Sequence, residues 1–419
     1  LFVCREKRQA RSSALSESRF RRYYPASWFS GLGSWMLRFI LGWSAWDLTA
    51  SALWVGVVGA LMLAPALILS PYFGVQSDRT NPRHALIASM LIHGIIGVVG
   101  AATTFLGLFN TMTLLLLALA LGSVSAMHSP MRLALVPLLV PRTALPSAVG
   151  LTAMSFNIAR IVGPAICAVI IAELGVGWAW ASAVIIFTVA GSILTSLRGV
   201  GTREIRPRKS INREFIEGIH YVRSNAAILL ILSSTVINGL LGRSLIELLP
   251  AVSGRLLIGG PTELAWLTAA AGVGAVMGGL LMSRQRAQVD WLYTLTLIAL
   301  ISAVTLLATL AWLDSLDLLA GMIGCLSFVT TVAGTGCQTL TQLVVDERYH
   351  GRVMSLWSMT MMASPALGAA TNGAVAEWFG FVPAFSMASA LGLLAVGGLY
   401  LRRRVIAEPE AIETTSDSR

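Results

Sequence analysis

From residue 51 to 72, and again from 85 to 106, the chain runs without a single Asp, Glu, Lys or Arg. A helix rising ~1.5 Å per residue needs ~20 apolar residues to cross a bilayer, so each run is about one membrane span long. Ten further apolar runs of about that length follow, most of them holding one or two charged residues, and the spans are read at roughly 25–47, 51–72, 85–106, 111–136, 147–172, 177–197, 226–250, 262–283, 289–312, 316–345, 352–376 and 380–401. A soluble domain of 419 residues would not be 56% hydrophobic and only 12% charged. The fold class is therefore all-α and membrane-spanning, with the lipid bilayer as its constant partner.

The charged residues fall in alternate connections, and this sets the expected orientation. Seven basic residues lie in the amino-terminal tail and seven more between 198 and 225. Arg79, Arg83, Arg142, Arg284, Arg286, Arg348, Arg352 and Arg402 to Arg404 lie on that same side. The opposite connections hold Asp47, Glu173, Glu263, Asp314, Asp317 and Glu377, with Arg255 as their one cation. Both termini are expected in the cytoplasm, and the membrane is expected to be the inner (plasma) membrane. The net charge of +10 is spread over connectors rather than gathered on one face, which argues against nucleic acid. No cleavable signal peptide is read in the basic, polar opening residues. Cys4, Cys167, Cys325 and Cys337 lack metal-ligand spacing, and the last three read as packing residues.

Residues in the first half often find a counterpart 205 positions on: Gly74 with Gly279, Arg79 with Arg284, Arg38 with Arg243, Gly175 with Gly380. The repeat divides the chain into a basic tail (1–24), a six-helix bundle (25–197), a linker (198–225), a second six-helix bundle (226–401) and a polar tail (402–419). Between spans 2 and 3 stands a short charged connection with Gly74, Asp78, Arg79, Pro82 and Arg83. Its pattern, Gly-x-x-x-Asp-Arg-x-x-x-Arg, resembles the signature loop of the major facilitator superfamily of secondary transporters. Gly150, Arg160, Gly163 and Pro164 resemble the span-5 motif of antiporters, although Cys167 and Ala168 replace its later glycines. The stretch from Asp346 to Leu356, with Leu32 to Met36 and Leu48 to Leu53, is similar to the branch of enterobactin-type siderophore exporters and macrolide efflux pumps. The resemblance implies twelve helices in two pseudo-symmetric bundles, alternating access to a small-molecule substrate, proton coupling and no cofactor; a monomer is expected.

Ionisable groups inside the bilayer are the informative ones, since a central arginine costs ~2.5–3.5 kcal/mol on insertion scales. Arg38, Arg160 and Arg243 are deep by count, and Glu247 lies four residues after Arg243, within pairing reach on one helical face. Asp47 lies nearer the outer surface. The resemblance implies that Arg38, Arg243 and Glu247 face the transport path, either as an ion pair locking the halves or as contacts for substrate or coupling ion. Glu247 is the candidate proton carrier, because burial disfavours its charge while a neighbouring arginine favours it. For Arg160 two readings stand: an anion contact in the cavity, or a donor to carbonyls freed by Pro164. His93 and His128 read as packing residues, and Trp43 and Trp46 as interfacial anchors. Asp78 is expected to dock on the amino end of span 11, a latch that favours the outward-open state. Uptake of a metabolite and a non-transporting sensor remain as rivals. No nucleotide loop, nucleophile–base set or metal cluster appears in the sequence, which argues against an enzyme or direct ATP coupling.

Overall fold

A computed structural model describes residues 13–141, 143–197, 211–285, 288–310, 312–346 and 349–402, and their side chains except at 70–71, 74–79, 146 and 211–215. After one turn of 3-10 helix at Ala14–Ser16, fourteen α-helices follow: α1 (Ser18–Thr49), α2 (Ala52–Arg79), α3 (Pro82–Phe105), α4 (Thr111–Leu135), α5 (Leu145–Leu174), α6 (Val176–Ser196), α7 (Ile211–Ser224), α8 (Ala226–Ile237), α9 (Ser244–Leu256), α10 (Pro261–Ser283), α11 (Val289–Leu310), α12 (Leu316–Val344), α13 (His350–Phe379) and α14 (Phe381–Leu401). No strand occurs among the described residues. Ten spans are long and apolar enough to cross a membrane, with α8, the turn after it and α9 counting as one, Ala226–Leu256. The remaining long helices, α1 and α13, have 32 and 30 residues but are more polar. The chain is a multi-pass membrane protein.

Local chemistry sets the helix boundaries. Asn81, Asn110 and Asn225 each cap the helix that follows, their side-chain oxygens accepting from the N–H of Arg83, Thr113 and Ile228. Pro82 and Pro261 stand in the first turns of α3 and α10, where a missing N–H costs nothing. Gly175 and Gly380, partners in the sequence repeat, form the corners between α5 and α6 and between α13 and α14. Their φ values are 90° and 86°, a backbone region that favours glycine.

Two groups of helices emerge from the packing. In the first, α2 packs on α4, α3 on α6, and α1 on α5 and α6; in the second, α10 packs on α12 and α11 on α12 and α14. Small residues bring the backbones together, as at Gly122 of α4 against the Leu61 carbonyl, and Gly274 of α10 against the Gly324 carbonyl. Trp180, Tyr23, Phe20, Phe187 and Phe385 are fully buried. Between the groups α13 lies along α2, α10 along α5, and α9 touches α1 and α2.

The connection between the groups contains an element not expected from sequence. Helix α7 lies against α13: Arg352 pairs with Glu217 at 2.8 Å, and the rings of Tyr221 and Tyr349 stack at 4.2 Å. Helix α1 starts well before the expected boundary at residue 25. Trp43 corrects another expectation: it is 8% exposed and sits in the core, not at the lipid interface. Trp46 packs its indole against Gly254 of α9.

Candidate functional site

The deep charges converge where α1, α5 and the α8–α9 span meet. Arg38 of α1 donates to both carboxylate oxygens of Glu247 in α9, at 3.2 and 3.3 Å. The pair is held away from solvent, with side chains 24% and 16% exposed. Sequence spacing had pointed to Arg243 as the partner of Glu247, and that pairing is corrected here. Spacing along one helix finds only neighbours on that helix, whereas Arg38 lies 209 residues away. Arg243 stays within electrostatic range of Glu247 and Arg38, but no hydrogen bond or ion pair to it occurs among the described residues.

Arg243 ends a turn of π-helix, Asn238–Arg243, that splits the span into α8 and α9. Such wide turns are rare and need outside support for the carbonyls they displace. Asn372 of α13 supplies it, donating to the Leu240 carbonyl at 3.1 Å and to Ser244 Oγ at 3.0 Å. Asn238 donates in turn to the Thr330 carbonyl of α12 at 3.1 Å. Gly239 faces Ser364 and Pro365, beside the Pro inside α13, too closely for any side chain.

Arg160, midway along α5, places its guanidinium 5.5 Å from the ring centre of Trp35, whose ring also lies 5.7 Å from that of Arg38. Trp35 packs on Phe156 at 5.6 Å, and Arg132 of α4 lies 5.2 Å from the Phe156 ring. Arginines and aromatic rings thus alternate along one wall, each contact worth ~0.5–2 kcal/mol. Arg160 also lies within electrostatic range of Arg243, Glu247 and Arg38. Reading the sequence for deep charges misses Arg132, Trp35 and Phe156. The two aromatics look like ordinary apolar positions, whereas Arg132, an arginine within an apolar run, carries the same signal as Arg160.

The other expected residues lie apart. Asp47 is exposed near the end of α1. Gly163 packs against the Leu32 carbonyl and Trp35, which lets α5 and α1 approach around Pro164, while Gly150 faces open space. Arg83 donates to the Leu194 and Thr195 carbonyls at 3.2 and 2.6 Å, closing the end of α6. The surroundings of Gly74 and the side chains of Asp78 and Arg79 lie outside what the structure describes. His93 and His128 share Ser89: Ser89 Oγ and His128 Nδ1 are 2.7 Å apart, and His93 Nδ1 meets the Ser89 carbonyl at 2.7 Å. His93 also stacks on Phe187 at 4.7 Å.

A second contact zone joins the two helix groups near the end that carries the short acidic connections. The Glu377 carboxylate of α13 accepts from the Ala52 N–H of α2 at 2.8 Å, and Arg255 of α9 approaches it at 3.8 Å. There Gly56 of α2 meets the Ala369 carbonyl, Gly373 of α13 meets the Ala52 carbonyl, and Gly42 of α1 meets Pro250.

Comparison with known proteins agrees with this architecture. The family model described as Transmembrane secretion effector matches residues 10–419. The enterobactin exporter of Shigella boydii is 26% identical over 82% of this chain and 83% of its own. Macrolide efflux protein A of Streptococcus pyogenes is 22% identical over 79% of this chain and 83% of its own. A solved bacterial homologue of the human lysosomal transporter Spinster, inward-facing and occupied, superposes with a TM-score of 0.71 over 95% of this chain and 98% of its own. At 14% identity that likeness shows the fold alone. The chain belongs to the major facilitator superfamily, within its transmembrane secretion effectors, and is a membrane transporter rather than an enzyme.

Proposed function

We propose that this transporter exports a small organic molecule, drug-like or siderophore, from the cytoplasm in exchange for protons. Twelve spans form two six-helix halves, α1–α6 and α8–α14, with the linker and both termini in the cytoplasm of an inner-membrane protein. The corner glycines Gly175 and Gly380 support that doubling, and the alternation of basic and acidic connectors supports the orientation. The efflux relatives support the direction.

The observation that carries the mechanism is the Arg38–Glu247 bridge, the charged contact that joins the halves at mid-depth. Contacts between the halves run from the Glu377 seal down to this bridge and to Ile161 against Gly272, an arrangement that fits an inward-facing state. Substrate entering from the cytoplasm loosens the bridge, and the outer contacts are then left without their deepest anchor. The halves rock, the outer side opens, and substrate leaves. A proton from outside then neutralises Glu247, the halves return, and loss of that proton to the cytoplasm restores the bridge, so one proton enters for each cycle of export. Asp78 on the amino end of α13 is the proposed latch for the opposite, outward-open state.

The test is accumulation of drug-like compounds and of siderophores in cells expressing the protein, with and without a protonophore. Export lowers accumulation, and the protonophore restores it. Accumulation that ignores both expression and protonophore, across both compound classes, sinks the proposal.

A further inference from the structure

The charges at the centre do not balance. Arg38, Arg160 and Arg243 lie within electrostatic range of one another and of a single carboxylate, Glu247, which Arg38 already engages. The Arg160 and Arg243 guanidiniums have no hydrogen-bond or ion-pair partner among the described residues, and neither has that of Arg132 further along the same wall. The other acidic side chains near the inter-helix seams are occupied or distant: Glu377 holds the Ala52 N–H, and Asp47 is exposed at the end of α1. Cations left unneutralised at mid-membrane depth repel one another and favour any anion that enters. A guanidinium has five donors in a planar fork that matches a carboxylate.

Beside these arginines lies an aromatic wall. Trp35 sits between Arg38 and Arg160, and Phe156, 39% exposed, sits between Trp35 and Arg132. The indole Nε1 of Trp35 is buried without an acceptor, which offers one further donor. We propose that this cluster binds an organic anion with a planar or aromatic portion, its carboxylate on Arg160 and Arg243 and its ring along Trp35 and Phe156. The assignment rests on the transporter reading and names the substrate class of that same site.

Three probes of one shape test it on the purified full-length protein in detergent, by isothermal titration without any gradient: 2-naphthoate, 2-naphthylmethanol and 2-naphthylmethylammonium. The carboxylate is expected to bind at least about ten-fold tighter than the alcohol, or ~1.4 kcal/mol, and the ammonium not measurably. Arg160→Gln and Arg243→Gln each weaken naphthoate about ten-fold and leave the alcohol unchanged, while Arg160→Lys recovers part of the loss. Excess acetate or chloride is expected to compete poorly; competition at equal concentration would mean a site for charge alone and would overturn the organic part. Ammonium binding as tight as carboxylate, or no binding by any probe, overturns the proposal on the wild type alone, even where a variant fails to fold. Failure of the exporter reading looks different: naphthoate binds but nothing is pumped. A protein that pumps a cationic dye and rejects naphthoate sinks the anion site and leaves the pump.

Discussion

At the scale of single residues, the Arg38–Glu247 pair shows how little an ion pair says about stability and how much about design. Removing one partner of a buried pair costs ~3–5 kcal/mol, mostly because the other charge is left stranded, and the partial exposure here places the cost toward the low end. The two partners are not equivalent. Without Arg38, the Glu247 carboxylate still has Arg243 and Arg160 within electrostatic range; without Glu247, three arginines face one another. Arg38→Gln is therefore expected to lower the melting temperature in detergent by less than Glu247→Gln does. Equal losses, or the reverse order, would show that the surplus positive charge is neutralised by something else. Glu247→Gln is also expected to abolish protonophore-sensitive export. The deep charges themselves were legible in the sequence, because an arginine within an apolar run stands out against its cost. Their pairing was not, since Arg38 and Glu247 meet only through the packing of α1 on α9. Trp35 and Phe156 were invisible for a simpler reason: an aromatic residue in a membrane helix looks the same whether it faces lipid or arginine.

At the scale of elements, the spans were readable from hydropathy, whereas two helical features were not. The π turn at Asn238–Arg243 has no sequence signature of its own, and it exists because Asn372 and Asn238 hold its surroundings in place. Helix α7 was hidden inside a charged linker, since its apolar side gains a partner only when α13 is beside it. Its anchor is the Tyr221–Tyr349 stack with the Glu217–Arg352 pair, and Gly218 lets it approach the Arg352 side chain closely. A double substitution, Tyr221→Ala with Arg352→Ala, is expected to raise amide hydrogen exchange at residues 216–224 at least about ten-fold, equivalent to ~1.4 kcal/mol of local stability. Exchange in the membrane spans should hardly change. Unaltered exchange in α7 would assign its anchoring to other contacts.

At the scale of the whole molecule, the alternation of apolar runs and charged connectors dictated a multi-pass helical membrane protein, and the signature residues placed it in its superfamily of transporters. The sequence alone did not reveal where α2 and α13 meet most closely: Gly56 with the Ala369 carbonyl, Gly373 with the Ala52 carbonyl, and Glu377 on the Ala52 N–H. Gly56→Ala adds a methyl group where there is no room for one, so α2 and α13 are pushed apart. In an exposed helix the same change stabilises by ~1 kcal/mol, and here the wedge outweighs it. In a chain cleared of its native cysteines, a cysteine at the 1% exposed position of Val55 is expected to react several-fold faster with an impermeant maleimide once Gly56 is alanine. An unchanged rate would mean that the seam tolerates the methyl.

A seam of main chain on main chain has a further consequence. A glycine has no side chain to swing aside, so it has no way to absorb a misplaced neighbour, and the two helices fit in one register and not in the next. Under the export reading, such a joint parts or meets as a whole instead of easing open by degrees.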